Sequence, residues 1–263
     1  MTAATATLLA WQALLERDLR ALLRSRSQLY SSILLPLIIL AVLGSGVSEG
    51  LEPSLVRDRD YSSFLVPGII AMTALFSATF SGASYYQDRD RGILKAMLAA
   101  PHPAGVILLG KSLAGVAVGC LQALLVLAIV ALIPAIDLEW QYGVVPGLLL
   151  AFFAILLLNL LLGGLAHLLS ARITTLTGFH LVMNLVLFPL FFFSGAFFPL
   201  DEVPVWLEVL GRVNPLSYAV DLMHVAIYSD TSSGYLGAPV DMPVLLAVAA
   251  AVLYLGVRRH STG

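Results

Sequence analysis

Long apolar runs, each close to the width of a bilayer core, alternate along this chain with short segments in which the charges collect. A hydrocarbon layer of roughly 30 Å takes ~20 apolar helical residues to cross. Runs of that kind lie at about 29–47, 64–83, 112–133, 144–169, 175–198 and 240–257, the last being shorter than the others. The pattern predicts an all-α integral membrane protein with six transmembrane helices and a single transmembrane domain over residues 1–263. Pro189 falls inside the fifth run and predicts a kink there. Ahead of the first run, Leu8, Trp11, Leu15, Leu19 and Leu22 recur at three- and four-residue spacing, with Glu16, Arg17, Arg20 and Arg24 largely on the other side. Residues 8–26 therefore predict an N-terminal amphipathic interfacial helix. With no cleavable signal evident before it, the first span is expected to direct its own insertion.

The stretch 199–239, between the last two spans, breaks the simple alternation. Val205, Trp206, Val209 and Leu210 make one apolar strip, and Leu216 to Tyr228 makes another, separated by the breaker Asn214-Pro215. It predicts a short helical hairpin. Such a hairpin either dips back into the outer leaflet, where protein must cover its loose backbone ends, or lies as a cap on the surface.

Composition agrees with a membrane chain. Of 263 residues, 59% are hydrophobic and 11% charged, and the mean hydropathy is +0.94, well beyond an ordinary soluble domain. The net charge of −2 conceals a spatial division. Loops rich in Lys and Arg stay in the cytoplasm. An inside N-terminus puts Arg17, Arg20, Arg24, Arg26, Arg89, Arg91, Lys95, Lys111, Arg172, Arg258 and Arg259 there, leaving only Arg57, Arg59 and Arg212 of the 14 basic residues outside. Twelve of the 16 acids, Asp221 and Asp241 among them, fall outside. Both termini are thus predicted to be cytoplasmic, in a multi-pass protein of the cell membrane.

Gly105-Val-Ile-Leu-Leu-Gly110-Lys111-Ser112 matches the nucleotide-binding pattern G-x-x-x-x-G-K-[ST]. The context is wrong for a phosphate cradle, which follows a buried strand and exposes its backbone N–H groups. Here a proline-bounded stretch precedes and a membrane span follows. Lys111 reads instead as an anchor whose stem snorkels along the start of the third span. The central span cores hold no Asp, Glu, Lys or Arg, so ion coupling lacks its usual groups. Gln122, Asn159, His167, His180 and Asn184 read as interhelical hydrogen bonders, Cys120 as an apolar packing residue, and Gly115-x-x-x-Gly119 as a weak close-contact signal. An intramembrane enzyme would need convergent acids, a nucleophile with its base, or H-E-x-x-H. None is present, so neither a catalytic residue nor a metal site is expected.

The cytoplasmic stretch Tyr86 to Pro103, YQDRDRGILKAMLAAPHP, passes from alternating charge into Ile93, Leu94, Met97 and Leu98 at helical spacing before Pro101 and Pro103 stop it. It predicts a short amphipathic helix of both signs. The residues alone leave open whether it rests on the membrane or docks with a partner. Asp88-Arg89-Asp90-Arg91-Gly92, ending in Pro101, resembles the E-R-E-R-G-T-L-E-x-L-L-x-x-P stretch of the type-2 ATP-binding-cassette (ABC) permease family, with Ile93 and Lys95 as departures. A second resemblance runs through Phe193-Ser194-Gly195 and Phe198-Pro199 to Asn214-Pro215-Leu216-Ser217-Tyr218 and Asp221. It is similar to the F-x-S-G-x-x-F-P and N-P-L-x-Y-x-x-D signatures of that family, with His224 where arginine is usual.

The resemblance implies an exporter of two permease subunits, identical or not, and two separate cytoplasmic ABC ATPase subunits that bind ATP-Mg, with no cofactor in this chain and no nucleic-acid partner. It assigns coupling to residues 86–103, through Asp88, Arg89, Asp90, Arg91, Gly92, Ile93, Leu94, Met97 and Leu98. Arg89 and Arg91 would meet acidic groups, while the apolar four would fill a groove. Asn184, Phe188, Phe192 and Phe193 are the candidate substrate path. The family carries hydrophobic drugs, lipids, lipid-linked glycans and polysaccharides. The form of the second signature looks most like the drug-resistance, daunorubicin-type branch, which implies a hydrophobic or amphipathic substrate leaving the cytoplasm or inner leaflet.

Overall fold

A computed structural model describes residues 3–48, 60–99, 104–140, 142–170, 172–228 and 237–261. Arg57, Arg59, the stop at Pro101 and Pro103, and residues 229–236 of the predicted hairpin lie outside them, as does the side chain of Leu98. Helices and their connecting turns make up the described chain, with no strand among the described residues.

Helix α1 (Ala3–Arg24) ends at Ser25, whose ψ of 80° leaves helical geometry. Beyond it α2 (Arg26–Leu29), a π-helical turn (Tyr30–Leu34) and α3 (Leu35–Ser48) follow in one line as the first span. Four more helices are long and apolar enough to cross a membrane: α4 (Tyr61–Asp90), α6 (Ala104–Val130), α7 (Val144–Ser170) and α11 (Ala238–Ser261). The six-residue α5 (Ile93–Leu98) links α4 to α6. The predicted fifth span is shorter than expected. Helix α8 (Leu176–Phe192) has 17 residues, about 25 Å at 1.5 Å each. It stops because Gly195, at φ +79°, turns the chain.

Helix α4 is the centre of the bundle, packed by α3, α6, α7 and α8. Helices α7 and α11 form the closest pair, since both faces lack side chains at the crossing. Gly256 lies 3.3 Å from the Gly164 carbonyl, counted from where a Cβ would stand, and a Cβ on Gly164 would come 3.0 Å from the backbone of Leu253. Gly115 seats Ser81 of α4, and Gly119 seats Asn159 of α7. The small-residue pair is therefore a packing device between spans.

The two halves of the predicted hairpin behave differently. Helix α9 (Val205–Val213) leaves Val205, Trp206 and Val209 exposed, whereas α10 (Pro215–Ile227) is buried along its length against α4, α7 and α11.

Contacts between helices sort by end. Asp88, Lys111, Arg17 and the 172–175 turn gather at one end. Tyr228 to the Ser63 carbonyl, Trp140 N to the Ile227 carbonyl at 2.8 Å, and Asn214 Nδ2 to the Leu190 carbonyl at 2.6 Å mark the other. Arg212, basic but at this second end, pairs with Glu208 at 2.6 Å. The stripe on α1 is rotated from the sequence reading. Trp11, Leu14 and Leu22 face α6, while Leu8 and Leu15 are exposed. Gly110 on α6 explains the rotation, because its bare surface is where Trp11 sits.

Candidate functional site

The segment 86–103 is not one helix. Helix α4 runs unbroken through Tyr86-Gln-Asp-Arg-Asp90, since a helix satisfies its own backbone whether in lipid or in water. Gly92, at φ +72°, then turns the chain into α5. Its N–H bonds the Arg89 carbonyl at 3.0 Å and closes the end of α4.

Asp88 sits within this turn, 7% exposed. Its Oδ2 accepts from Lys111 Nζ on α6 and from Arg17 Nη2 on α1 at 2.9 Å. Arg17 also bonds Asp18 at 2.7 Å and reaches Met97 Sδ of α5 at 3.7 Å. One carboxylate thus ties together three helices, with a fourth in reach of the same guanidinium. Burial works against the charge on Arg17, but Asp18 and Asp88 outweigh it and hold its pKa above the ordinary guanidinium value. Lys111 is 1% exposed. It does not snorkel, because its counterion lies inside the protein. Asp88 likewise faces inward rather than toward a partner.

The rest of the segment divides by direction. Arg89 Nη2 donates to the Thr174 carbonyl at 2.6 Å and stands over the Tyr86 ring, whose hydroxyl donates to the Ile173 carbonyl at 3.0 Å. This pair fastens the α7–α8 turn to the end of α4. Leu94 is buried in the chain's own interior, so it is not offered to a groove on another protein. Asp90, Arg91, Gly92, Ile93 and Lys95 are the exposed members, and Met97 is half-buried.

The false nucleotide motif is accounted for residue by residue. Gly105 to Ser112 lies wholly within α6, so no loop exists to cradle phosphate. Gly110 makes room for Trp11, whose Nε1 donates to the Val106 carbonyl at 2.9 Å. Lys111 pairs with Asp88, and Ser112 Oγ donates to the Leu108 carbonyl at 3.0 Å.

Of the candidate path residues, Asn184 and Phe188 line a cavity of ≈ 210 Å³ between α4 and α8, with Phe76 and Phe80 across from them. Phe188, Phe192 and Phe193 border a second, wholly apolar hollow of ≈ 480 Å³ that Trp206 of α9 also lines. Phe188 belongs to both. The polar span residues bond in two ways. Gln122 Nε2 does cross to Ser32 Oγ at 2.7 Å. Asn159 bonds the Ile155 carbonyl and His167 the Gly163 carbonyl, each four residues back on α7.

The two halves of the second signature meet in space. Asn214 caps α10 through Leu216 N at 3.0 Å while its amide reaches the end of α8. Ser217 Oγ donates to the Phe193 carbonyl at 3.3 Å. Asp221 and Asp241, expected on the external side, are both buried, at 8% and 0% exposure. They line one small cavity with His224. The α11 helix begins three residues before Asp241, so the carboxyl is carried into the bundle against α10. Among the described residues, no group of three or more His, Cys, Asp or Glu is placed to hold a metal ion.

Five apolar spans and a short helical pair, with a charged turn after the second span, define a multi-pass membrane protein. The sequence model of the ABC-2 type transporter family matches residues 9–228, and the chain belongs to that family. It is similar to the "Probable multidrug ABC transporter permease YbhR" of Escherichia coli (strain K12), 28% identical over 176 residues that cover 66% of this chain and 46% of that one. The match thus spans under half the length of that relative. Likeness to "Nodulation protein J" of Neorhizobium galegae is more extended, 28% over 259 residues and covering 94% and 89% of the two chains. The "Putative transport permease ycf38" of Cyanophora paradoxa is 27% identical over 205 residues, covering 78% of this chain and 69% of its own.

Proposed function

We propose that this chain is the membrane-spanning subunit of an ATP-driven exporter, which moves a hydrophobic or amphipathic molecule out of the cytoplasm or inner leaflet. ATP-Mg is bound and hydrolysed in separate cytoplasmic ABC ATPase subunits. Two permease chains pair in the cell membrane. Helix α8 serves as the fifth of six crossings, so both termini and the Gly92 turn face the cytoplasm. The ATPase docks on the exposed side of that turn, through Asp90, Gly92, Ile93 and Lys95.

The observation that carries this reading is the seat of the turn. Asp88 is bonded to Lys111 and Arg17, and Arg89 to Thr174, so a load on the turn is shared by α1, α4, α6 and the α7–α8 turn. A helix merely resting on lipid would need no such fastening. The phenylalanine-lined hollows beside α8 suit an apolar cargo. Co-expression with a candidate ABC ATPase, co-purification, and ATP hydrolysis measured with and without a hydrophobic drug test the reading. Hydrolysis stimulated by the drug is expected. An ATPase that neither co-purifies nor responds in any pairing would remove the transport assignment.

A further inference from the structure

A cavity of ≈ 380 Å³ opens between α1, α4 and α6, on the other side of Phe80 from the cavity beside α8. Arg24 and Arg91 stand at it, both exposed and neither with a counterion among the described residues. Asp18 also lines it, but this carboxylate is held by Arg17. Next door, Asp88 is held by Lys111 and Arg17. Those two acids and two bases balance, which leaves the two free arginines to set the sign of the cavity.

Its wall is polar on one side and apolar on the other. Gln28 and Gln87 contribute amides, Ser77, Ser81 and Ser84 run along one face of α4, and Leu22, Phe80 and Val118 complete the lining. Ser77 is 2% exposed, and its hydroxyl has no hydrogen-bond partner. It stands 14 residues before Arg91 on α4, roughly 21 Å along the helix, and so marks the deep end of the cavity. Depth matters as well. Ser25 and Gln28, at the junction where the interfacial helix turns into the first span, both line the cavity, which puts its mouth at the level of lipid headgroups.

We propose that this cavity binds an anionic membrane lipid, with Arg24 and Arg91 at its mouth as cationic partners of the headgroup phosphate. The arginine fork suits a phosphate, and the mixed wall suits an amphiphile whose chains stay in the bilayer. Lipid binding can be tested without an ATPase.

The full chain, purified in detergent, would be examined by native mass spectrometry with phosphatidylglycerol or phosphatidylcholine added. Wild type is expected to retain the anionic lipid over the zwitterionic one by roughly tenfold or more, the scale of one or two charge-assisted contacts. Arg24→Gln with Arg91→Gln should erase that preference. Ser84→Leu, which narrows the cavity and leaves the charges, should lower retention of phosphatidylglycerol. Thermal unfolding in lipid-free detergent checks that each variant is folded. Arg24→Gln alone, at an exposed position, gives the same readout if the double variant loses stability. Equal retention of the two lipids by wild type, or undiminished phosphatidylglycerol on the folded arginine variants, overturns the proposal. Glycerol 3-phosphate separates the two sources of phosphate. If it displaces the lipid from wild type, the ligand is a soluble phosphate ester and the lipid assignment fails; continued retention of the lipid supports it.

Discussion

Lys111, two turns into α6, meets Asp88, third from the end of α4, and both are withdrawn from solvent. The pair fastens the charged end of α4 to α6, and its removal has an ordered set of consequences. Asp88→Asn leaves Lys111 buried without a counterion, and breaking a buried pair on one side costs about 3–5 kcal/mol. Lys111→Met leaves Asp88 with Arg17 and should cost less. Combining the two should recover part of the loss, because no buried charge is stranded on α6. Thermal unfolding of the four proteins in one detergent measures this. Equal melting temperatures across the set would show that the pair contributes nothing.

Gly92 tests the turn through backbone conformation alone, since a Cβ there would touch nothing within 4 Å. Gly92→Ala should destabilise by ~1–2 kcal/mol through its left-handed φ, with Gly92→Asn milder. Gly92→Pro cannot adopt +72° at all and should abolish ATPase association. Retention of the partner by the proline variant would rule out this turn as the docking element.

Ile93 and Leu94 are adjacent in sequence and opposite in role. Leu94→Ala opens space in the chain's own interior and should lower stability by about 2–3 kcal/mol. Ile93→Asp, on the exposed side, should leave melting unchanged while ATPase co-purification falls. The reverse outcome would place the docking face on the other side of α5.

Gly110→Ala would drive a methyl group into the Trp11 ring. It should release α1 from α6, with a change in tryptophan emission and faster tryptic cleavage at Arg17 and Arg20. Nucleotide binding by the purified chain should be unmeasurable before and after Lys111→Ala. Saturable ATP binding that this substitution removes would restore the nucleotide reading of the motif.

Topology can be checked in a Cys120→Ser background. A cysteine at Asp201 should react with an impermeant reagent in intact cells, and one at Lys95 should not. Labelling of position 95 with protection of 201 would invert the orientation.

Hydropathy made the long spans legible because each is a single apolar run, and the spacing of charges made the two ends legible. The two halves of the Phe193 and Asn214 signature could be read, though not that Asn214 and Ser217 bond the end of α8. Periodicity tells which residues share a face, and nothing in it names the face opposite. That is why the α1 stripe was rotated, why Asp88 and Leu94 were expected to face a partner, and why Asp241 was expected among the external acids. A cluster of charges after a span also suggests a helix end, whereas α4 carries its charges as a continuation. The serine face at 77, 81 and 84 gives no such signal by itself, and becomes a cavity wall only when α1 and α6 stand beside it.

Helix α4 extends 30 residues from Tyr61 to the Gly92 turn, a rod of roughly 45 Å. No interruption between Pro67 and Asp90 could absorb a displacement applied at the turn. Near its far end Gly68 stands directly against Ala196, in the loop that follows α8. A push of an ångström or two delivered at the turn would have one continuous helix to travel along to the α8–α9 corner. A rod that long and that uninterrupted is a lever.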